Sequence, residues 1–323
     1  MKPLLRPVKA PIIGGHLHRS GWPYALSSLH PLFSDTARLV FDDFIEKTIC
    51  NQRVGLHNYV HSEPWIGICH YPQDTPAWYE TEHLRDLPRY GSWGHSLENM
   101  RLCITLGSNL ASWVRTHWNV PCIALKHPTE VPNITWTADR FIANEHPLLL
   151  QVGWYLRNTH AIFQLQEPSF LQKAWLRSRR EIAERNHARC GAHFQPGRRR
   201  YGGVRELEPV ENHAYDDLLA SNVVFVELMT SVANNTIVEC IARNTPIVVN
   251  RLPGPEYYLG HAYPLFYEEF ETLQNVITAD RIMEAHEYLT RLDKSWMYGS
   301  AFRDSVASAC IEYAGDIVSA SES

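Results

Sequence analysis

No apolar run in this 323-residue sequence approaches the roughly 20 residues needed to cross a bilayer. Pro3, Pro7 and Pro11 interrupt the N-terminal stretch MKPLLRPVKAPIIGG before a signal-peptide core can form, so a cytoplasmic protein without a membrane span is expected. The seven cysteines are odd in number and include no C-x-x-C pair, which argues against a disulfide framework and a zinc knuckle and leaves them as small apolar core residues. No internal repeat or low-complexity tract is present, so a solenoid or propeller is not expected. No D-x-D pair offers a divalent-cation site. His16 with His18, and His57 with His61, have spacings a metal could use but lack a convincing third ligand, so no metal is expected.

What is present is a packed globular composition. Apolar residues make up 45% and charged residues 20%, and the length suits two domains of ordinary size. The net charge of −5 is uneven: residues 173–205 hold ten basic side chains against Glu181 and Glu184, a local +8 that leaves −13 elsewhere. Such a segment, with Arg198, Arg199 and Arg200 at its densest point, could steer a polyanion; the favoured reading is an exposed helix over 170–185 followed by a mobile loop.

Short apolar runs alternate with helical stretches along the chain. Strands are expected at 11–13, 38–41, 65–69, 102–106 and 122–125, then at 148–152, 222–226, 246–249 and 264–267. A linker is expected over 135–147. The reading is therefore α/β, with two Rossmann-like doubly wound domains facing each other across a cleft: 1–145, onto which a helix at about 300–323 packs back, and 146–299.

The most informative block is 223–260, VVFVELMTSVANNTIVECIARNTPIVVNRLPGPEYYLG. An apolar strand leads into a polar loop carrying Asn234, Asn235 and Thr236. A short helix with Ile237, Val238, Ile241 and Ala242 on one face follows, and Pro246 stops it before the next strand. A helix start of this kind presents backbone N–H groups that can hold a phosphate. Glu239, one turn inside, could accept hydrogen bonds from ribose hydroxyls; Thr236-x-x-Glu239 also has the spacing of a capping box.

The run from Glu239 through Cys240, Ile241, Ala242, Arg243, Asn244 and Thr245 to Pro246 resembles the donor-binding signature of GT-B glycosyltransferases of the GT4-like group, in which many members carry E-A-x-A-x-G-x-P. Retaining members usually have a second glutamate eight positions earlier. Ser231 stands there in this chain, which leaves the stereochemical outcome open. The resemblance is strongest over 148–267 and looser before it.

It implies roles for further residues. Gly153 matches the glycine that ends the first strand of the donor domain and lets backbone approach a ligand. Arg157 would clamp the donor diphosphate, with Asn158 assisting, unless it is a plain surface residue. His70, directly after the strand 65–69, could take a proton from an acceptor hydroxyl or be a hydrogen-bonded loop histidine. Asp42 and Asp43 end another strand at the same edge, as a competing base or as helix caps. Gly15 lies in a glycine loop resembling the one that approaches the transferred sugar. Lys126 could touch either substrate or set a hinge, and Glu256 lies where relatives place a loop near the donor.

The expectation is a metal-independent hexosyl- or pentosyltransferase, with a UDP- or GDP-sugar as co-substrate and no resident cofactor. Two further readings are a transferase that modifies hydroxylated DNA bases through 173–205, and a non-catalytic module that binds polyanions or sugar nucleotides.

Overall fold

In each half of the chain, short apolar runs pair as parallel strands whose connections run through helices. The computed structural model describes residues 3–8, 21–50, 52, 56–79, 83–178, 181–194 and 200–319. Two units are resolved: Met1–Thr75, Thr81–Glu130 and Ser295–Ser323 form the first, and Pro76–Glu80 with Val131–Lys294 the second.

The first unit has a five-stranded sheet ordered β1 (Leu5–Pro7), β2 (Leu39–Asp42), β3 (Trp65–Cys69), β4 (Met100–Thr105) and β5 (Cys122–Ala124), all parallel. β1 contains Pro7, which an edge strand tolerates because no neighbour needs its missing N–H. Helices α1 (Trp22–Leu29), α2 (Ile45–Ile49), α3 (Gly91–Glu98) and α4 (Ser108–Trp118) lie between the strands, and the C-terminal helix Gly299–Ser319 packs on α1, β2 and β4. The expected strand at 11–13 and the loop containing Gly15 lie outside the described residues.

In the centre of β3, Gly67 is fixed by packing. A Cβ there would meet Ile45 Cγ1 and Trp65 Cζ3, each at 2.7 Å. The missing side chain is what lets α2 sit close on the sheet.

In the second unit, α5 (Ala138–Ile142) precedes β6 (Leu148–Gln151). Then come α6 (Ala161–Gln164), β7 (Gln172–Leu176), α7 (Glu181–Phe194), β8 (Arg205–Leu207), α8 (Asn212–Ser221), β9 (Val223–Val226), α9 (Asn235–Arg243), β10 (Ile247–Asn250), α10 (Pro253–Leu259), β11 (Phe266–Tyr267) and α11 (Ala279–Arg291). The sheet order is β11-β10-β9-β6-β7-β8, all parallel. The chain winds outward from β6 to β8, then returns to the other side of β6 and winds outward again. That reversal puts a topological switch point between the carboxyl ends of β6 and β9, the place where open α/β sheets bind ligands. β6 and β9 are buried along their whole length, as parallel strands covered on both faces must be.

One segment differs from its sequence reading. The helix expected over 170–185 is β7, and α7 starts only at Glu181. Lys173 hid the strand: it is fully buried, and its ammonium donates to Leu165 O at 2.8 Å, so a charged residue occupies a core position. The segment 135–147 belongs to the second unit, and its helix α5 packs on α8.

The packing at Gly67 gives a direct test. Gly67→Ala forces Ile45 and Trp65 apart and should lower the stability of the first unit by about 1–3 kcal/mol, read as a lower urea midpoint. An unchanged midpoint would contradict this packing.

Candidate functional site

The residues after β6 and β9 meet at the switch point. Gly153 has φ +74°, in the left-handed region, and a Cβ there would lie 2.1 Å from Arg157 Nη1. Glycine therefore makes the space for the guanidinium. Tyr79 secures the turn: its Oη accepts from Leu156 N at 2.8 Å and from Asn186 Nδ2 at 3.2 Å, and donates to Trp154 O at 3.3 Å. Leu156 itself has φ +53°, a conformation unfavourable for a branched side chain and held here by those contacts and by Met229 N donating to Leu156 O at 3.0 Å. Asn158 ties the loop to the end of β9, its N–H donating to Glu227 O at 2.9 Å and its Nδ2 to Glu227 Oε2 at 3.0 Å.

Arg157 is 7% exposed. Its Nη2 donates to Asn234 Oδ1 and Thr236 Oγ1, both at 2.9 Å, while Nε has no acceptor. Among the described residues no carboxylate lies within ion-pair distance of it. Burial pulls its pKa below the ordinary guanidinium value, with Tyr215, Tyr79 and Glu239 pulling the other way. A guanidinium stays charged in proteins, so this is a buried cation held by neutral acceptors.

Asn234 is the N-cap of α9, its Oδ1 accepting from Ile237 N at 3.3 Å. The same oxygen takes Arg157, which fastens the guanidinium to the first turn of the helix. Asn235, half-buried, opens that turn, and Thr236 is its second residue. The capping-box reading of Thr236 and Glu239 is thus corrected: the helix begins two residues earlier, and the Glu239 carboxylate turns to Tyr215, whose Oη donates to Oε2 at 2.8 Å. Glu239 is 4% exposed. Below it, Arg243 forms a buried ion pair with Asp216 at 2.5 Å that locks α9 to α8. Asn244 ends the helix at φ +58°, a left-handed position that asparagine accepts.

A cavity of about 360 Å³ adjoins Gly153, bounded by Trp154, Trp175, Arg177, His187 and Glu206 at the ends of β6, β7 and β8. His187 stacks on Trp175 at 4.5 Å and on His160 at 3.9 Å, and burial lowers its pKa to about 4. The Trp175–His187–His160 side of the cavity is therefore a neutral aromatic surface at physiological pH, with Arg177 and Glu206 supplying charge beside it. Glu256 is elsewhere engaged: Arg251 Nη1 lies 2.5 Å and His261 Nδ1 2.9 Å from its Oε1, and the hydrogen bond from Arg251 holds its carboxyl below the usual range. Arg200 places its guanidinium 5.1 Å over the Phe163 ring, while Arg198 and Arg199 lie outside the described residues.

In the first unit, His70 follows β3 as expected. Its ring stacks on Phe44 at 4.0 Å and meets the Trp22 indole edge-on at 4.5 Å, and its Nε2 donates to Asp43 O at 2.9 Å. That bond fixes the tautomer and leaves Nδ1 as the lone-pair nitrogen. Burial lowers the pKa to about 3, so the ring is neutral throughout the physiological range. Asp43 Oδ2 accepts from Trp22 Nε1 at 3.2 Å. Of the two roles expected for Asp42, base or cap, its contacts are those of a cap. Its side chain is fully buried, Oδ1 caps the turn by accepting from Phe44 N (3.1 Å) and Thr48 Oγ1 (2.9 Å), and Oδ2 pairs with His61 Nε2 at 3.0 Å. Lys126 sits 5.1 Å over the Trp296 ring.

Several residues were not legible beforehand. Glu227 stands first after β9, a position that could have flagged it; Tyr79, Tyr215 and Glu46 carry no motif. Glu46 is 1% exposed, and its Oε1 accepts from Tyr71 N at 2.6 Å, His70 N at 2.7 Å and Cys69 Sγ at 3.1 Å.

Desolvation raises the Glu46 pKa from 4.5 to about 7. Around it, burial pushes Cys69 up to about 12 and Cys103 well up, and His70 down to about 3, so none of these neighbours titrates near neutrality. A carboxyl whose pKa is raised on folding stabilises the fold fully below its unfolded value, and the contribution is lost as pH rises through about 7. Urea midpoints at about pH 5 and about pH 8 should therefore fall more steeply in the native protein than in Glu46→Gln; equal slopes would contradict the assignment.

No protein-family model matches the chain, and no curated protein matches it. Solved structures do. The Anabaena protein HepE in complex with UDP-glucose aligns with 97% of this chain and 100% of its own, at 11% identity and a TM-score of 0.63. Sucrose-phosphate synthase from Thermosynechococcus elongatus covers 92% of this chain and 78% of its own, at 11% identity and a TM-score of 0.58. A trehalose-6-phosphate structure from E. coli, bound with UDP-2-fluoro glucose, covers 88% and 76%, at 12% identity and a TM-score of 0.57. At such identities the likeness is one of fold: the chain has two Rossmann-like α/β units of the GT-B kind.

Proposed function

We propose that this protein is a glycosyltransferase that moves a sugar from a nucleotide-diphosphate sugar to an acceptor hydroxyl without needing a metal ion. The observation that carries the reading is Arg157, a buried cation with no carboxylate partner among the described residues, tied to the first turn of α9 at the switch point of the second unit. Burying an unpaired charge costs several kcal/mol by general estimates, and a pyrophosphate would supply the missing counter-charge. The bound ligands of two fold neighbours, UDP-glucose and UDP-2-fluoro glucose, are of that chemical class.

In this reading the diphosphate lies against Arg157 and the N–H groups opening α9, with Asn158 and Asn235 alongside. As the bond to the sugar breaks, negative charge grows on the departing diphosphate. Guanidinium and helix start stabilise that charge in place, the work a divalent cation does in other transferases. Glu239, oriented by Tyr215, accepts from the ribose hydroxyls. The cavity beside Gly153 gives the nucleoside an aromatic wall. His70 of the first unit, neutral and with Nδ1 as its acceptor nitrogen, takes the acceptor's proton. A histidine whose pKa lies far below neutrality does not impose an acid limb near pH 6.5, so turnover should not fall as pH is lowered from 8 to 6 on account of this ring.

UDP-glucose should raise the melting temperature of the native protein, since a ligand bound only by the folded form stabilises it. Arg157→Gln should weaken that binding about 10- to 100-fold, the scale of a lost charge-assisted hydrogen-bond pair. A panel including GDP-mannose covers the alternative base. Native and Arg157→Gln proteins showing the same shift with every sugar nucleotide would overturn the reading.

A further inference from the structure

We infer that Glu46 is a positioning residue for His70: its carboxylate holds the His70–Tyr71 backbone so that the ring is presented with Nδ1 as a proton acceptor. The functional weight of this inference rests on the proposed role of His70 in transfer, but the positioning itself is a geometric statement that can be tested alone.

Three consecutive contacts from the entry to α2 converge on His70. Asp43 O accepts from the ring Nε2, the Phe44 ring stacks on the imidazole at 4.0 Å with an interplanar angle of 10°, and Glu46 Oε1 accepts from the backbone N–H groups of His70 and Tyr71. The first two fix the tautomer and the plane of the ring; the third fixes the backbone that carries it. Backbone N–H groups at the carboxyl end of a parallel strand ordinarily turn to water or a ligand. Here one carboxylate oxygen takes two of them, and the Cys69 thiol as a third donor.

The other oxygen, Oε2, is buried and has no hydrogen-bond partner among the described residues. An amide or a hydroxyl could cap a strand end at less desolvation cost than an acid with one oxygen unsatisfied. All the acceptor capacity that is used goes to the turn bearing His70. The raised pKa of Glu46 agrees with this enclosure.

The inference predicts how substitutions propagate to an imidazole ring with which the Glu46 side chain makes no hydrogen bond. With ¹⁵N-labelled histidine, NMR of the full chain should show His70 as a single Nε2–H tautomer across about pH 5–8. Glu46→Gln keeps an acceptor oxygen at the same place and should retain that signal. Glu46→Ala should release the turn, giving a mixture of tautomers and a ring that titrates nearer its ordinary value. A folded Glu46→Ala protein with an unchanged His70 signal would overturn the inference. Should Glu46→Ala fail to fold, hydrogen exchange in the native protein decides: the His70 and Tyr71 amides should be protected like those of β3, and rapid exchange at both would overturn it.

The transfer reading is checked separately with UDP-glucose. Glu46→Ala should lower kcat on the order of 100-fold with KM for the sugar nucleotide unchanged, and Glu46→Gln should restore most of it. If the NMR outcome holds and the native protein turns over no sugar nucleotide, the transferase reading fails and the positioning of His70 stands. If the NMR outcome fails while native turnover persists, the reverse is true.

Discussion

A guanidinium buried without an ion-pair partner among the described residues is the constraint around which the second unit is organised. Arg157 can lie there only because Gly153 has no side chain, and its acceptors among the described residues are the neutral oxygens of Asn234 and Thr236. Those oxygens satisfy hydrogen bonds without cancelling charge. Among the described residues the cation's field is opposed only in part, by Glu239 farther along α9, and the helix's own partial positive charge adds to it at the helix start. The loop from Gly153 to Asn158 is fastened at both ends, by Tyr79 and by Glu227, so the charge is preorganised rather than recruited.

The first unit is built on the opposite principle. Burial there disfavours charge: it lowers the His70 pKa to about 3 and raises that of Glu46 to about 7. Asp42, which from sequence alone could have been a base, spends its acceptors on a turn and on His61. The His70 ring has its tautomer fixed by a backbone carbonyl, which leaves Nδ1 as its lone-pair nitrogen.

Much of the second unit was legible because parallel strands buried on both faces read as uninterrupted apolar runs. The run from Val223 to Val226, the polar loop, the amphipathic helix and Pro246 all fell where expected. Its strand order, and hence the switch point, was not, because β7 carries Lys173 inside the core and β8 is three residues long and largely exposed. Helix starts were legible only to within two residues: Asn234, not Thr236, caps α9, and that shift changes what Glu239 can do. Tyr79, Tyr215 and Glu46 were illegible in principle, since each acts through a contact far away in sequence and none belongs to a local motif. Arg157 and Gly153 were named separately; that the absence of one side chain makes room for the other is a fact of three dimensions.

The most direct measurement is a crystal structure of the protein grown with UDP. The account predicts that oxygens of the diphosphate come within hydrogen-bond distance of the Arg157 guanidinium and the N–H groups at the start of α9. UDP bound elsewhere, with Arg157 still engaged only by Asn234 and Thr236, would contradict it.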